Sequence, residues 1–222
     1  MYKIKKENLT ALFRAIAAEQ ELYVPVKTAG KVNFGPWSED AEVDIDTLKS
    51  VKSPKDIFFP QSENLYTCER EGRKLKVEPE ALKEQKFTVF GMRACDVQGV
   101  KVLDQVFLAD PVDSFYAARR EHGTMVAIAC HEPEESCFCK VFGIDCAEPA
   151  ADVAAWFAGE ELYWKALTEK GQTLTEILSG LLTDADTEDE KKLSEEQTAI
   201  RAIVEKLPYS HLSLEGWDGN AT

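Results

Sequence analysis

Two stretches decide the fold of this chain: Phe87-Thr88-Val89-Phe90-Gly91 and Met125-Val126-Ala127-Ile128-Ala129. Each is a short, continuous apolar run, as expected of a strand buried on both faces. Between them, Asp96 is placed to cap a helix over 97–108, with Val100, Leu103 and Phe107 on one face. A second short helix is expected over 113–122, carrying Phe115, Tyr116, Arg119 and Arg120 and ended by Gly123. Strand, helix and strand in this order fit a βαβ unit with parallel strands.

Upstream, Leu9, Leu12, Phe13 and Ile16 recur at helical spacing and predict an amphipathic helix over 6–20. Leu22-Tyr23-Val24-Pro25-Val26 reads as a short strand, placed at a sheet edge by its proline. A second short strand is expected within 27–35, followed by a polar loop over 36–56 with one helical turn. Leu65-Tyr66-Thr67-Cys68 is also strand-like.

Downstream, Trp156 and Phe157 face Tyr163 and Trp164 across Gly159, which predicts a hairpin with its aromatics in the core. Residues 190–206 are helical by the partial stripe Leu193, Ile200, Ile203 and Val204. Beyond Pro208 the chain is expected to turn at Gly216-Trp217-Asp218-Gly219. The fold class is therefore α/β: a mixed sheet with a βαβ unit, helices on its faces and a helical C-terminal segment. The expected division is an α/β domain over 1–178 and a helical tail over 179–222.

Composition sets the bounds. The chain has 222 residues, 44% hydrophobic and 30% charged, and a net charge of −14. Such a balance suits a folded chain with a core and argues against nucleic acid, whose phosphates need Lys and Arg. Much of the acid lies between Asp184 and Glu196, a solvated run. No stretch approaches the roughly 20 apolar residues of a membrane span. The basic start, Met1 to Lys6, is followed by no apolar signal core, so the expectation is a cytoplasmic protein.

Six cysteines in such a chain point to buried thiols or metal ligands rather than a disulfide scaffold. Cys68 and Cys146 read as small core residues. The other four form a set. Cys95 lies in Gly91-Met92-Arg93-Ala94-Cys95-Asp96, and Cys130, Cys137 and Cys139 lie within ten residues of one another. In the βαβ arrangement Cys95 and Cys130 fall just beyond the carboxyl ends of their strands, where open α/β sheets place ligand sites.

Thiolates select zinc, copper(I) or iron–sulfur clusters. Structural zinc sites usually pair cysteines as Cys-x(2–4)-Cys, and Cys137-Phe138-Cys139 is tighter than that. His131 reads as a solvent residue rather than a ligand. A dithiol redox site would show Cys-x-x-Cys at a helix start, which is absent here. Unliganded cysteines remain the bland alternative. An iron–sulfur cluster accounts best for the irregular spacing, because it bridges separated segments. Backbone N–H groups of the helix expected from Val97 would stabilise the reduced form, and Arg93 beside Cys95 either adds to this or is an ordinary surface salt-bridge residue. Asp96 and Asp104 read as cap and surface residues. No catalytic dyad and no glycine-rich nucleotide motif is recognised, so flavin or nicotinamide would bind to a partner.

At these residues the sequence resembles the N-terminal part of the iron–sulfur β subunit of sulfhydrogenase-type nickel–iron hydrogenases, a group that includes the A subunit of anaerobic sulfite reductase. The matching stretches are Phe58-Phe59-Pro60 through Leu65-Tyr66, Phe90 through Asp96, Lys101-Val102-Leu103-Asp104 with Phe107, Tyr116 through Glu121, and Cys130 through Cys139. The resemblance implies an electron-transfer subunit of an anaerobic complex. Cys95, Cys130, Cys137 and Cys139 would hold a 4Fe-4S cluster, and the partners would be other redox subunits, flavin- or nicotinamide-binding or catalytic. The family also carries a C-terminal ferredoxin-like region with further cysteine runs, and none follows Cys146 here. A zinc-stabilised interaction domain is the competing class. An exposed, partly apolar patch is expected close to Cys137-Phe138-Cys139, as a cluster in a transfer chain must approach its neighbour.

Overall fold

The structure, a computed structural model, describes residues 1–214. The turn expected at 216–219 lies outside the described residues. The two decisive runs form β6 (Phe87–Met92) and β7 (Gly123–Ile128), with every residue buried in both. They pair in parallel, joined by α3 (Ala94–Phe107) and α4 (Ser114–His122). The other strands of the main sheet are β1 (Tyr2–Lys5), β2 (Glu21–Thr28), β3 (Lys31–Pro36), β8 (Val153–Ala158), β9 (Glu161–Ala166) and β10 (Thr183–Asp184). Their spatial order is β10-β1-β9-β8-β7-β6-β2-β3. β2, β6, β7 and β8 run parallel, and the flanking pairs are antiparallel. The fold is thus the mixed α/β sheet expected from the sequence.

Alternation along each strand sorts the core into two faces. On one face Phe90, Val126, Ile128, Val153 and Trp164 pack under α1 (Leu9–Glu19) and α5 (Glu169–Ile177), through Leu12, Phe13, Ile16 and Leu174. On the other, Phe87, Val89, Met92, Met125 and Ala127 pack under Phe58 of the single turn α2 (Lys55–Phe58), Val97 and Val100 of α3, and Tyr116 of α4. Further along that face Ala154, Trp156 and Tyr163 meet Leu193 of α6 (Thr187–Val204). Each large apolar side chain buried here contributes roughly 1.5–3 kcal/mol.

Several local expectations are corrected. β2 is not an edge strand, because β3 and β6 flank it. Pro25 is tolerated there because the β2–β6 pairing spans only Glu21 to Tyr23. Opposite Pro25, β6 bulges at Gly91, whose φ is +97° and whose added Cβ would lie 3.0 Å from the Pro25 ring. The bulge shifts the register by one residue, so Met92 rejoins the face of Phe87 and Val89. α3 starts at Ala94 rather than after Asp96, so Cys95 lies inside its first turn. Asp96 instead reaches back to accept from the Arg93 amide at 3.2 Å. Gly123 is no left-handed cap: its φ is −86° and it opens β7. Cys68, expected in the core, is exposed. It lies on a separate hairpin of β4 (Tyr66–Glu71) and β5 (Lys74–Pro79) that joins no other strand.

The expected aromatic hairpin is present as β8–β9, with Trp156 opposite Tyr163 and Gly159 turning at φ +62°. Asp104 is more than a surface residue. It accepts from Arg120 at 2.6 and 2.9 Å and from Tyr116 at 2.6 Å, clamping α3 to α4. Among the described residues no helix is long and apolar enough to cross a membrane.

Candidate metal centre

The bulge at Gly91 and the crossover between the two parallel strands bring three segments together at the carboxyl ends of β6 and β7. Cys95 projects from the first turn of α3, exposed. Cys130 follows β7 and is buried. Cys137 and Cys139 are half-buried in the loop that follows, and Cys139 opens a 3-10 turn over Cys139–Phe142. The loop is folded on itself through Cys137 N–H to Glu134 O at 2.8 Å and Ile144 N–H to Cys139 O at 3.0 Å.

The four predicted cysteines share one locus, and a fifth joins them. Cys146 is buried beside Cys130 with Ala147 and Ile200, and Cys139 packs against this group. Cys130 N–H donates to Cys146 O at 3.0 Å. Thiol hydrogen bonds link Cys95 to Cys139 and Cys130 to Cys146. Those bonds, and then burial, push the Cys95 and Cys130 thiols well up. The same bonds hold Cys139 and Cys146 below the usual thiol range. Electrostatic interaction also connects Cys139 with Cys130 and Cys137, and Cys146 with Cys139 and Cys137. Spacing alone could not mark Cys146 as a neighbour of Cys130, because it depends on how the intervening loop folds back.

Arg93 is the second element of the site. Its side chain is buried at 4% exposure. Nη2 donates to Ile45 O at 2.7 Å and Thr47 O at 3.0 Å, and Nη1 to Ala129 O at 3.4 Å. Nε has no partner, and no carboxylate among the described residues pairs with the guanidinium. Its charge favours a thiolate at Cys130. A buried cation without a counter-charge is costly and calls for an anion nearby. A thiolate-ligated cluster, carrying net negative charge, supplies one. The donor set and the unpaired guanidinium therefore fit such a group.

Surrounding contacts fix the loops. Lys49 Nζ donates to Glu134 at 2.6 Å and Ser136 Oγ at 2.7 Å. The glutamate raises the Lys49 pKa, with smaller contributions from Cys137 and Cys95. Trp156 Nε1 donates to Ala147 O at 2.7 Å, and Arg201 of α6 donates to Asp145 at 2.7 and 2.9 Å. His131 is exposed and takes no part. Among the described residues, no three His, Cys, Asp or Glu side chains are gathered closely enough to hold a single metal ion. The thiols stand as two pairs with Cys137 alongside.

Outside the cysteines, Phe138 and Phe142 are 54% and 56% exposed, with ring centroids 5.7 Å apart. With Val141, Tyr209 and Leu212 they line a shallow cavity of about 360 Å³. This matches the apolar patch expected beside the cysteine loop. A cavity of about 340 Å³ between Glu19, Lys86, His122 and Lys170 opens at the amino ends of the strands, away from the cysteines.

No family model matches the chain. It is similar to the sulfhydrogenase 2 subunit beta of Pyrococcus furiosus, at 28% identity over 151 residues. The matched region covers 68% of this chain and 43% of that relative, so the chain spans less than half of the relative's length. This likeness supports the resemblance to sulfhydrogenase-type β subunits read from the sequence.

Proposed function

We propose that this chain is an electron-transfer iron–sulfur subunit, or the N-terminal domain of one, in a multisubunit anaerobic redox enzyme such as a hydrogenase or sulfite reductase. Cys95, Cys130, Cys137 and Cys139 would hold a 4Fe-4S cluster. The observation that carries this reading is the gathering of thiols from three segments beside a buried guanidinium with no carboxylate partner. A tetrahedral zinc site draws its four sulfurs tightly around one ion, whereas a cluster spaces its ligands more widely. Thiols drawn from three segments, with no three among the described residues gathered closely enough for a single ion, suit the second case. The Pyrococcus relative, by name a subunit of a sulfhydrogenase, points the same way.

When bound, such a cluster supplies one-electron storage. The chain's own residues set its surroundings. Arg93 contributes fixed positive charge, which favours the thiolate form of the ligands and, at the site, the more reduced state. The amide end of α3, where Cys95 sits, adds a positive dipole end. Lys49 and Trp156 hold the cysteine loop through Glu134 and Ala147. The exposure of Cys95 leaves one side of the site thinly covered, and Phe138 and Phe142 offer a neighbouring contact surface. The partners on this reading are other redox subunits, including the one that binds flavin or nicotinamide.

The test is iron, zinc and acid-labile sulfide analysis of anaerobically purified protein, with electron paramagnetic resonance of the reduced sample. Iron and sulfide in equal amounts, with a reduced-cluster signal, are expected. Stoichiometric zinc without sulfide overturns the reading in favour of a zinc-stabilised interaction domain.

A further inference from the structure

The cluster site holds one thiol more than a four-cysteine cubane uses. Cys146 is 4% exposed and Cys130 7% exposed, in one small apolar pocket closed by Ala147 and Ile200. Their backbones are tied together by the 3.0 Å bond from Cys130 N–H to Cys146 O. The two thiols therefore leave neighbouring points of the backbone and meet each other directly. Cys146 also interacts with Cys139 and Cys137, while Cys130 interacts with Cys95. Both thiols thus address the same group of sulfurs. Exchanging one for the other needs side-chain rotation rather than movement of the chain. The surroundings are fixed independently of either thiol, by Trp156 on Ala147 and Arg201 on Asp145.

We propose that Cys146 is an alternative ligand of the cluster, able to occupy the position taken by Cys130. This rests on the iron–sulfur reading above. Cys95, Cys137 and Cys139 are then the invariant three, and the fourth position is served by either member of the Cys130–Cys146 pair. The displaced thiolate takes up a proton and the thiol that binds releases one, so the exchange is balanced without any redox partner. The arrangement gives the site a spare thiol where it is most buried. A fifth thiol in that place lets the cluster survive loss or oxidation of Cys130. Cys68, alone and exposed on the β4–β5 hairpin, is far from such a role.

The experiment compares Cys130→Ala, Cys146→Ala, the double variant and Cys137→Ala, each purified anaerobically as the full chain. Cys130→Ser, nearly isosteric, stands in should the alanine variant not fold, as judged by near-ultraviolet circular dichroism. The readouts are iron and sulfide per folded chain and the paramagnetic resonance spectrum of the reduced cluster. Both single variants of the pair are expected to retain the wild-type iron content, with altered resonance line positions in the Cys130 variant only. The double variant should lose at least about half of its iron, as should Cys137→Ala. A folded Cys130 variant without iron, beside a wild-type chain that holds a full cluster, overturns the proposal and leaves the iron–sulfur reading standing. A double variant with full iron content overturns it equally. A wild-type chain with no iron overturns the reading itself, and the proposal with it.

Discussion

Replacing Arg93 by Met keeps most of the buried stem and removes the charge, and its cost can be worked from the structure. Two good hydrogen bonds are lost, at 2.7 and 3.0 Å, and one weak one at 3.4 Å. Hydrogen bonds to charged groups contribute about 1.5–3 kcal/mol each, so the gross loss is about 3–6 kcal/mol. Against this, the substitution relieves the burial of a charge with no carboxylate partner and an unpartnered Nε. That penalty is several kcal/mol for a buried ion. In the cluster-free chain the two nearly offset, and a net loss of about 1–3 kcal/mol is expected, mainly from the stranded carbonyls of Ile45, Thr47 and Ala129. On the iron–sulfur reading proposed above, a bound cluster would leave the charge no longer uncompensated. At ~8 Å and an effective dielectric of about 20, one unit of opposite charge adds about 2 kcal/mol. Arg93→Met should therefore cost about 2 kcal/mol more in the cluster-loaded chain than in the stripped chain. Anaerobic urea unfolding of both forms, wild type and variant, measures the difference. An equal or smaller cost in the loaded form would refute the idea that this guanidinium is there to face an anion.

Three further outcomes are expected. Gly171→Ala places a Cβ 2.1 Å from the Asp152 carbonyl oxygen, a backbone atom that cannot move aside; the clash, about 3 kcal/mol, should outweigh the ~1 kcal/mol helix gain and lower the melting temperature by about 4–8 °C, and an unchanged melt contradicts the packing of α5 on β8. Asp189 is held down to about 2, first by Lys3, then by the Asp186 amide and, more weakly, by Tyr163. Its folded pKa is depressed, so its contribution is present above the unfolded value of about 4 and is lost as pH falls toward 2; in Asp189→Asn that part of the acid sensitivity of the urea midpoint should vanish. Phe138→Asp with Phe142→Asp should leave stability within ~0.5 kcal/mol, both rings being over half exposed, yet slow cluster reduction by the partner complex about tenfold; electron transfer at the wild-type rate argues against docking on this patch.

The parts of this molecule that were legible in the sequence are those written locally. Two continuous apolar runs with a helical interval specify parallel neighbours, and from that alone Cys95 and Cys130 fall at the same end of the sheet. The hairpin of β8 and β9 follows from paired aromatics across a glycine. What escaped depended on distant partners. Pro25 signals an edge only if its strand is paired along its whole length, and the short register with β6 removes that condition. The start of α3 was misplaced because an aspartate at the third helical position looks like a cap when the residue before the helix is an arginine. Cys146 gave no signal in spacing; the backbone bond to Cys130 that places it belongs to the folded loop. Cys68 sat in a strand-like run, but that hairpin pairs only with itself, so its alternation describes a face with nothing upon it.

The position of β1 has a bearing on how the chain is made. Tyr2 to Lys5 is inserted between β9 and β10, so a strand made early is flanked by two made much later. Lys3 lies opposite Tyr163, about 160 residues on. At typical translation rates that stretch takes roughly ten to thirty seconds to emerge. During that interval β2, β6 and β7 can associate as they appear, while Ile4 waits without its place in the core. Closing so long a loop is slow, and β9 presents an open edge until it happens. The nascent chain thus passes through a state with its parallel centre built and one flank open, and completion of that flank waits for β1 to be joined by its two late partners.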